Sequence, residues 1–502
     1  PADYDLETGR LNPPSLGPRN RRVYVRSDRV SESTDEENDS LAGLEMRGQF
    51  VPCAVCGKTA RFGRSYVQDH QTKGDQPFQA LVARQLQIQP PAPVEPTRFA
   101  PLQGRKVLAF SDSRQVAARL APNLQMYSVR DSLRPLIAWG YRRLQAVPVL
   151  RPNLNLEDLY LAVLLASKKL NVRLRPEMKA GESFVAELTV ENAIRDGDTE
   201  NDAGLLNLCM EIRNERPPEA LLDNIITTVQ DRFLGFEALA LASIAERSKH
   251  TAALEKLPSI PGVAETPEAK IGLARAWLRC WQNHGFWLSA MPPVWWRRPR
   301  SEGTSIRGQK GKFKAMDTVL TDKASRKIFW DKWSPTLLAL FTQDSDSGFK
   351  RLRGSELTLL FDGTWAHCGS CKSVHRPVPG IAHCLDCGSQ DIKQLDPDSD
   401  PVFLARKGFY RKPVTEALGD PPRQPMALIA AEHTAQLNAP QNEDVFSKAE
   451  EHELLFQDIA LGGRSSRTTA IDVLSSTTTM EVGIDIGALS GVALRNMPPG
   501  RA

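Results

Sequence analysis

The 502-residue chain has no apolar run approaching the roughly 20 residues that a membrane-spanning helix needs. No basic-then-apolar leader opens it. These two absences lead to the expectation of a cytoplasmic protein with no membrane partner. Neither sign of charge dominates: 64 Lys and Arg face 60 Asp and Glu, for a net charge of +4 and a pI near 8.6. That balance is compatible with a nucleic-acid partner without pointing to one. The phosphate-cradling pattern Gly-x-x-x-x-Gly-Lys-Ser/Thr is also missing. Gly57-Lys58-Thr59 ends like one, but Pro52 stands where the first glycine is required. No apolar strand ends in Asp-Glu-x-His or Asp-Glu-x-Asp. The chain alone is therefore expected to carry no complete ATP-hydrolysing site.

What is present is the composition of a soluble globular protein, 41% hydrophobic and 25% charged, with length for two to four domains. Six of the eight cysteines form three Cys-x-x-Cys pairs: Cys53/Cys56, Cys368/Cys371 and Cys384/Cys387. Paired cysteines in a large chain without a leader favour thiolate metal ligands over disulfides. Cys368, Cys371, Cys384 and Cys387 follow Cys-x2-Cys-x12-Cys-x2-Cys, the spacing of two knuckles closing four thiolates around one structural zinc, with no position left for water. Cys53 and Cys56 make only half of such a site; either another pair precedes residue 1 or the site is vestigial. His367, His375 and His383 are near enough to compete as ligands. Cys209 and Cys280, alone in helix-like apolar surroundings, read as buried thiols.

Two stretches read as strand–loop units of an open α/β sheet. In Arg105-Lys-Val-Leu-Ala-Phe-Ser-Asp-Ser-Arg-Gln-Val-Ala-Ala-Arg-Leu-Ala121, Val107–Phe110 is a strand, and Ser111 and Ser113 are candidate caps of the helix that follows. In Ala470–Ala502, Ile471–Leu474 is a strand, a Ser/Thr loop leads to Gly483-Ile-Asp485, and Val492–Leu494 is a second strand. Sheets of this kind present ligands at strand C-termini. Asp485 is otherwise an ordinary cap or turn residue.

These stretches resemble motifs IV and V of superfamily 2 helicases, ATP-driven motors on nucleic acid. Phe110-Ser-Asp-Ser-Arg-Gln115 narrows the resemblance to large bacterial helicases with cysteine-rich insertions, among them those of the Druantia and DISARM anti-phage systems and related repair helicases. The resemblance implies nucleic-acid contacts at Ser111, Arg114 and Thr477, and an ATP cleft lined by Gly483 and Asp485. Met426–Leu437 adds a strand ending in Glu432-His433-Thr434, followed by an acidic helix at Phe446–Ile459, as in the same group. His433 and Thr434 touch nucleic acid in that reading, or else cap the next turn.

The expected architecture is an α/β, RecA-like parallel sheet interrupted by a large, mainly helical insertion with a four-cysteine zinc ribbon. Residues 1–48 form a polar, partly disordered segment, and 49–99 a zinc-knuckle-like segment with a Pro-rich linker. Residues 100–145 supply the first part of the RecA-like domain, 146–350 the helical insertion, 351–395 the ribbon, 396–423 a linker, and 424–502 the second part, truncated before motif VI. Helical period marks Tyr127–Ala146, Leu156–Leu170, Ala220–Arg247 and Ala269–Leu288. Between Trp295 and Trp333 basic and aromatic residues interleave. Arg297, Arg298, Lys310 and Lys312 are either phosphate contacts beside stacking tryptophans or a solvated loop whose tryptophans pack in the core.

By resemblance, the parent protein is an ATP-dependent helicase or translocase using ATP and Mg2+ on DNA rather than RNA, with defence-system subunits as candidate partners. The chain is expected to be a piece of it, inactive alone. The alternative is a non-enzymatic, zinc-containing module that binds nucleic acid or a partner and keeps a RecA-like shell.

Overall fold

The structure is a computed structural model describing residues 2–5, 20–23, 76–97, 99–111, 114–174, 183–283, 315–344, 350–433, 447–461, 469–477, 489 and 491–494. The chain divides into two units, Pro1–Pro77 and Phe78–Ala502. In the first, β1 (Ala2–Asp5) pairs antiparallel with β2 (Asn20–Val23). Residues 2–5 and 20–23 of the polar segment are thus paired strands. A four-residue backbone ladder leaves too short a hydrophobic pattern to be read from sequence.

The second unit begins within α1 (Gln76–Ile88), which β3 (Val107–Ser111) and α2 (Arg114–Gln145) follow. It continues through α3 (Leu159–Lys169), α4 (Ser183–Arg195), α5 (Asp202–Ile212), α6 (Glu219–Gln230), β4 (Ser243–Glu246), α7 (Thr251–Glu255) and α8 (Pro267–Asn283). Then come α9 (Ala315–Val319), α10 (Lys323–Ile328), a π-helical turn at Phe329–Trp333, and α11 (Ser334–Phe341). Short strands follow: β5 (Thr342–Asp344), β6 (Lys350–Leu352), β7 (Leu357–Leu360), β8 (Trp365–Cys368), β9 (Val374–His375) and β10 (Ile392–Leu395). The last described elements are α12 (Pro401–Ala417), β11 (Ala430–His433), α13 (Lys448–Phe456), β12 (Val473–Thr477) and β13 (Val492–Leu494).

Strands from both ends of this unit form one parallel sheet in the order β11-β12-β3-β13. Alternation along β3 explains its two covered faces. Val107 and Ala109 pack with Val82 and Leu86 of α1, Leu120 and Leu124 of α2, and Val473. Leu108 packs on the opposite face with Leu455 and Phe456 of α13, and Leu474. A parallel sheet must be covered on both sides, and here helices on each face do it.

α2 joins two bodies. Its N-terminal half lies on the sheet, where the Ala117 carbonyl accepts from Ser475 Oγ at 3.0 Å. Its C-terminal half, from Val129 to Leu144, enters the large helical core. The two helical stretches expected around residues 114–146 are therefore one helix. Gly140 lets α2 and α3 touch: a Cβ there would fall 2.0 Å from the Ala162 carbonyl oxygen.

Two further expectations change. Ala220–Arg247 is not one helix: α6 ends at Gln230, and Ser243–Glu246 is a fully buried strand paired with β7. The largely apolar stretch Ala238–Ala245 suits either structure until a partner strand selects one. Residues 396–423 are more than a linker. Asp400 caps α12, accepting from Phe403 N at 2.8 Å, with Pro401 in the first turn. Pro413 and the interspersed basic residues obscure the helical period of this segment.

Candidate functional site

The ribbon sheet has the order β10-β8-β9. One cysteine pair lies at the β8–β9 turn and the other precedes β10, and the two turns are built alike. Lys372 N donates to the Cys368 carbonyl at 3.0 Å, and Gly388 N to the Cys384 carbonyl at 2.9 Å. Lys372 and Gly388 both take positive φ, 61° and 73°, and each turn offers an amide to its first sulfur: Cys371 N to Cys368 Sγ and Asp386 N to Cys384 Sγ, both at 3.4 Å. Asp391 packs directly over Gly369: a Cβ there would fall 1.8 Å from Asp391 Oδ2, so the exposed carboxylate would have to move aside to admit one.

All four sulfurs lie within 4.8 Å of one another. Cys368–Cys387 and Cys371–Cys384 are each separated by 3.6 Å. Sulfurs of a tetrahedral zinc centre stand about 3.8 Å apart, given Zn–S bonds near 2.3 Å, so the donor set fits such an ion. Hydrogen bonding from Cys371 pulls Cys384 far below its ordinary value, and Cys371 rises correspondingly. Four sulfurs this close cannot all lose their protons without a cation among them. No histidine belongs to the group. His383 Nε2 is 2.8 Å from the Thr318 carbonyl, and His375 Nδ1 is 3.0 Å from that of Arg376.

The second knuckle is fastened to the helical body. Arg279 of α8 forks onto Asp386 at 2.6 and 2.9 Å and reaches Glu237 at 2.5 Å. Burial would raise Asp386, but the Arg279 fork outweighs it and holds the carboxyl below its ordinary value. Arg376 donates to the carbonyls of Leu360, Phe361, Gly363 and Thr364 and lies 3.6 Å over the Trp365 ring. Desolvation lowers its pKa to about 10.

The second candidate site is the C-terminal edge of the parallel sheet. Register sets Thr477 opposite Ser111, with His433, Ser476, Phe110 and Leu494 in the row before them. Ser111 and Thr477, 366 positions apart in the chain, thus end adjacent strands, and Arg114 opens α2 just beyond. Ser111 is buried at 2% exposure. His433 is also buried, with Nε2 2.6 Å from Glu453 Oε1 of α13, while His452 Nδ1 lies 2.8 Å from the Glu432 carbonyl. The acidic helix is thereby locked to the strand by a reciprocal pair of contacts.

The chain is similar to the Druantia protein DruE of Escherichia coli (strain UMEA 4076-1), with 28% identity over 524 residues that cover 96% of this chain and 26% of that protein. It therefore spans about a quarter of the length of this curated relative. No protein-family model matches the chain. No solved structure matches it.

Of the residues singled out in the sequence, the structure brings together the four ribbon cysteines, and separately Ser111, Arg114 and Thr477. Cys53, Cys56, Arg297, Arg298, Lys310, Lys312, Thr434, Gly483 and Asp485 lie outside the described residues. At the end of the basic, aromatic stretch, Trp333 is fully buried, stacks on Phe329 with ring centroids 6.0 Å apart, and donates to the Pro258 carbonyl at 2.9 Å. Trp330 packs against the same core. Arg326 is spent on the carbonyls of Asp317, Leu320 and Thr321. These three side chains serve the fold. Cys209 and Cys280 are buried, and burial pushes both thiols up to about 12, as expected of inert thiols. Sequence reasoning passed over Arg279 and Arg376, whose partners lie 107 and up to 133 positions away.

Proposed function

We propose that this chain contributes the second RecA-like domain of a superfamily 2 helicase or translocase acting on DNA in bacterial anti-phage defence. The observation that carries the reading is the parallel pairing of β3 with β12, which sets Ser111 opposite Thr477 across an interruption of some 360 residues. Parallel α/β sheets bind ligands at strand C-termini, and both residues stand there. Ser111, Arg114, Thr434 and Thr477 would grip the backbone, with Gly483 and Asp485 on the ATP side. Similarity to DruE supports the defence role, and that protein is about four times longer than the matched region. The remaining ATP-site groups would come from the longer protein. Cys368, Cys371, Cys384 and Cys387 would hold a zinc whose role is to fix the ribbon's fold.

The test is DNA-stimulated ATP hydrolysis by the full-length protein. Thr477→Ala should lose most of the stimulation by DNA and keep the DNA-independent rate, whereas Asp485→Ala should lose both. Residues 1–502 alone should hydrolyse no ATP. A full-length protein without DNA-stimulated hydrolysis, yet binding DNA through the same residues, would establish the non-enzymatic module instead.

A further inference from the structure

We infer that a surface beside the four-cysteine ribbon, built from the turn after α6 and the outer face of α12, is a second binding site for single-stranded nucleic acid. Two aromatic rings stand out from it: Phe233 is 68% exposed and Phe409 53% exposed. On α12, Val402, Arg406 and Phe409 are exposed at i, i+4 and i+7, which places them on one helix face. The Arg232 guanidinium lies 5.8 Å over the Phe233 ring, and Lys407 donates to the Phe233 carbonyl. A cavity of about 210 Å³ opens among Arg232, Phe233, Lys372, Arg406 and Lys407.

The backbone beneath the two rings is anchored. Asp231 Oδ1 accepts from both Phe233 N and Leu234 N at 2.8 Å, which fixes the turn. Arg134 then ties turn to helix: Nε donates to the Leu234 carbonyl at 2.9 Å while the guanidinium lies 5.8 Å over the Tyr410 ring. Arg411 anchors α12 from below through the carbonyls of Leu239 and Ala240. An exposed aromatic on an anchored backbone has only its own side-chain torsions to fix when a base stacks on it.

Charge selects the ligand. Among the described residues, no carboxylate lies within ion-pair distance of Arg232, Arg406 or Lys407, and the cavity lining is cationic on balance: Arg232, Arg279, Lys372, Arg406 and Lys407 stand against Asp231, Glu237 and Asp386, the last two sharing the single charge of Arg279. Burial, and then the Arg406 charge, push Lys407 below the usual lysine value, against a smaller opposing pull from Asp231. Stacking rings interleaved with unpaired cations match a polyanion with exposed π faces.

This inference shares its ligand class with the proposed motor but does not depend on ATP turnover. Binding of a labelled oligothymidine to the full chain is therefore measured without nucleotide, in a Ser111→Ala/Thr477→Ala background that weakens the sheet edge. Phe233→Ala and Phe409→Ala should each weaken binding by roughly 5- to 100-fold. Phe233→Trp should restore it and Phe233→Leu should not. Arg232→Glu/Arg406→Glu should flatten the dependence of log affinity on log salt by about 1.4, or ~0.7 per lost phosphate contact, with metal content and thermal midpoint unchanged. Equal binding by the Phe and Leu forms would overturn stacking and mark the surface as an apolar protein contact. Metal loss in the Arg406 variant would overturn it too, by assigning the cations to the thiolate centre. Hydrolysis without these binding effects would leave the motor standing and remove this site.

Discussion

His250 sits in the helical body with its ring edge against Phe341, centroids 5.2 Å apart, and Nε2 2.7 Å from Glu356 Oε2. Burial lowers its pKa below the ordinary 6.5, and the pull of Glu356 does not compensate, because Lys249 and Arg247 push the other way. Burial would raise Glu356, but hydrogen bonds from Lys249 and His250 outweigh it and hold the carboxyl below 4.5. Both groups therefore bind protons more readily when the chain is unfolded. Their contribution to stability is complete above pH 6.5. It declines first as His250 is forced to charge on the way down from 6.5, and again as the pH falls below 4.5 through the folded value of Glu356. Urea midpoints measured from pH 8 to 4 should show this two-step decline, and His250→Gln should remove the upper step. A midpoint flat from 7 to 5 in the native protein would contradict it.

At the scale of elements, the ribbon is the part whose stability is external to its own packing. It has short strands, two like turns and a core made partly of Val378 and Leu385, which belong to the helical cluster. Zinc bound by such a site contributes roughly 10–16 kcal/mol in peptide models. Cys384→Ser should abolish the metal bound at this site, and either that change or chelation should open residues 365–395 to protease while the sheet stays protected. Protection that persists in metal-free protein would show that the Arg279 fork and the Arg376 contacts suffice. The ribbon was legible in the sequence because its ligands repeat at short spacing, and β3, β12 and β13 because short apolar runs are bounded by polar, Gly- or Pro-containing sequence. The strand β4 and helix α12 were not. Ser243–Glu246 is defined by a partner more than 110 positions away, and the helical period of α12 is diluted by Pro413. The sheet edge was half legible: local pattern marked Ser111 and Thr477 as strand ends, while their adjacency comes from register. His433 kept two readings in the sequence because its partner Glu453 lies 20 positions on, in another element.

The second unit as a whole depends on how the helical body is joined to the sheet. α2 runs unbroken from one to the other, and a buried cluster makes the second connection. Arg173, just after α3, donates to the carbonyls of Phe99 and Ala470 at 3.0 and 2.9 Å and pairs with Asp472. Asp472 in turn accepts from Ile429 N at 2.7 Å, so one carboxylate ties the insertion to the entry of β11 and β12. Both side chains of the pair are 2% exposed, so solvent screens little of the interaction. An insertion held this way moves with the sheet as one body, and any closure of the sheet onto another domain would carry the ribbon and the α12 face with it. Asp472→Ala leaves a buried guanidinium without its counterion, a change that costs about 3–5 kcal/mol. It should lower the denaturation midpoint and split a single unfolding transition into two, with the sheet melting first. Arg173→Met combined with Asp472→Asn removes both charges and keeps an acceptor for Ile429 N, so it should recover most of the loss. If Asp472→Ala unfolds in one unchanged transition, α2 alone is joining the two bodies.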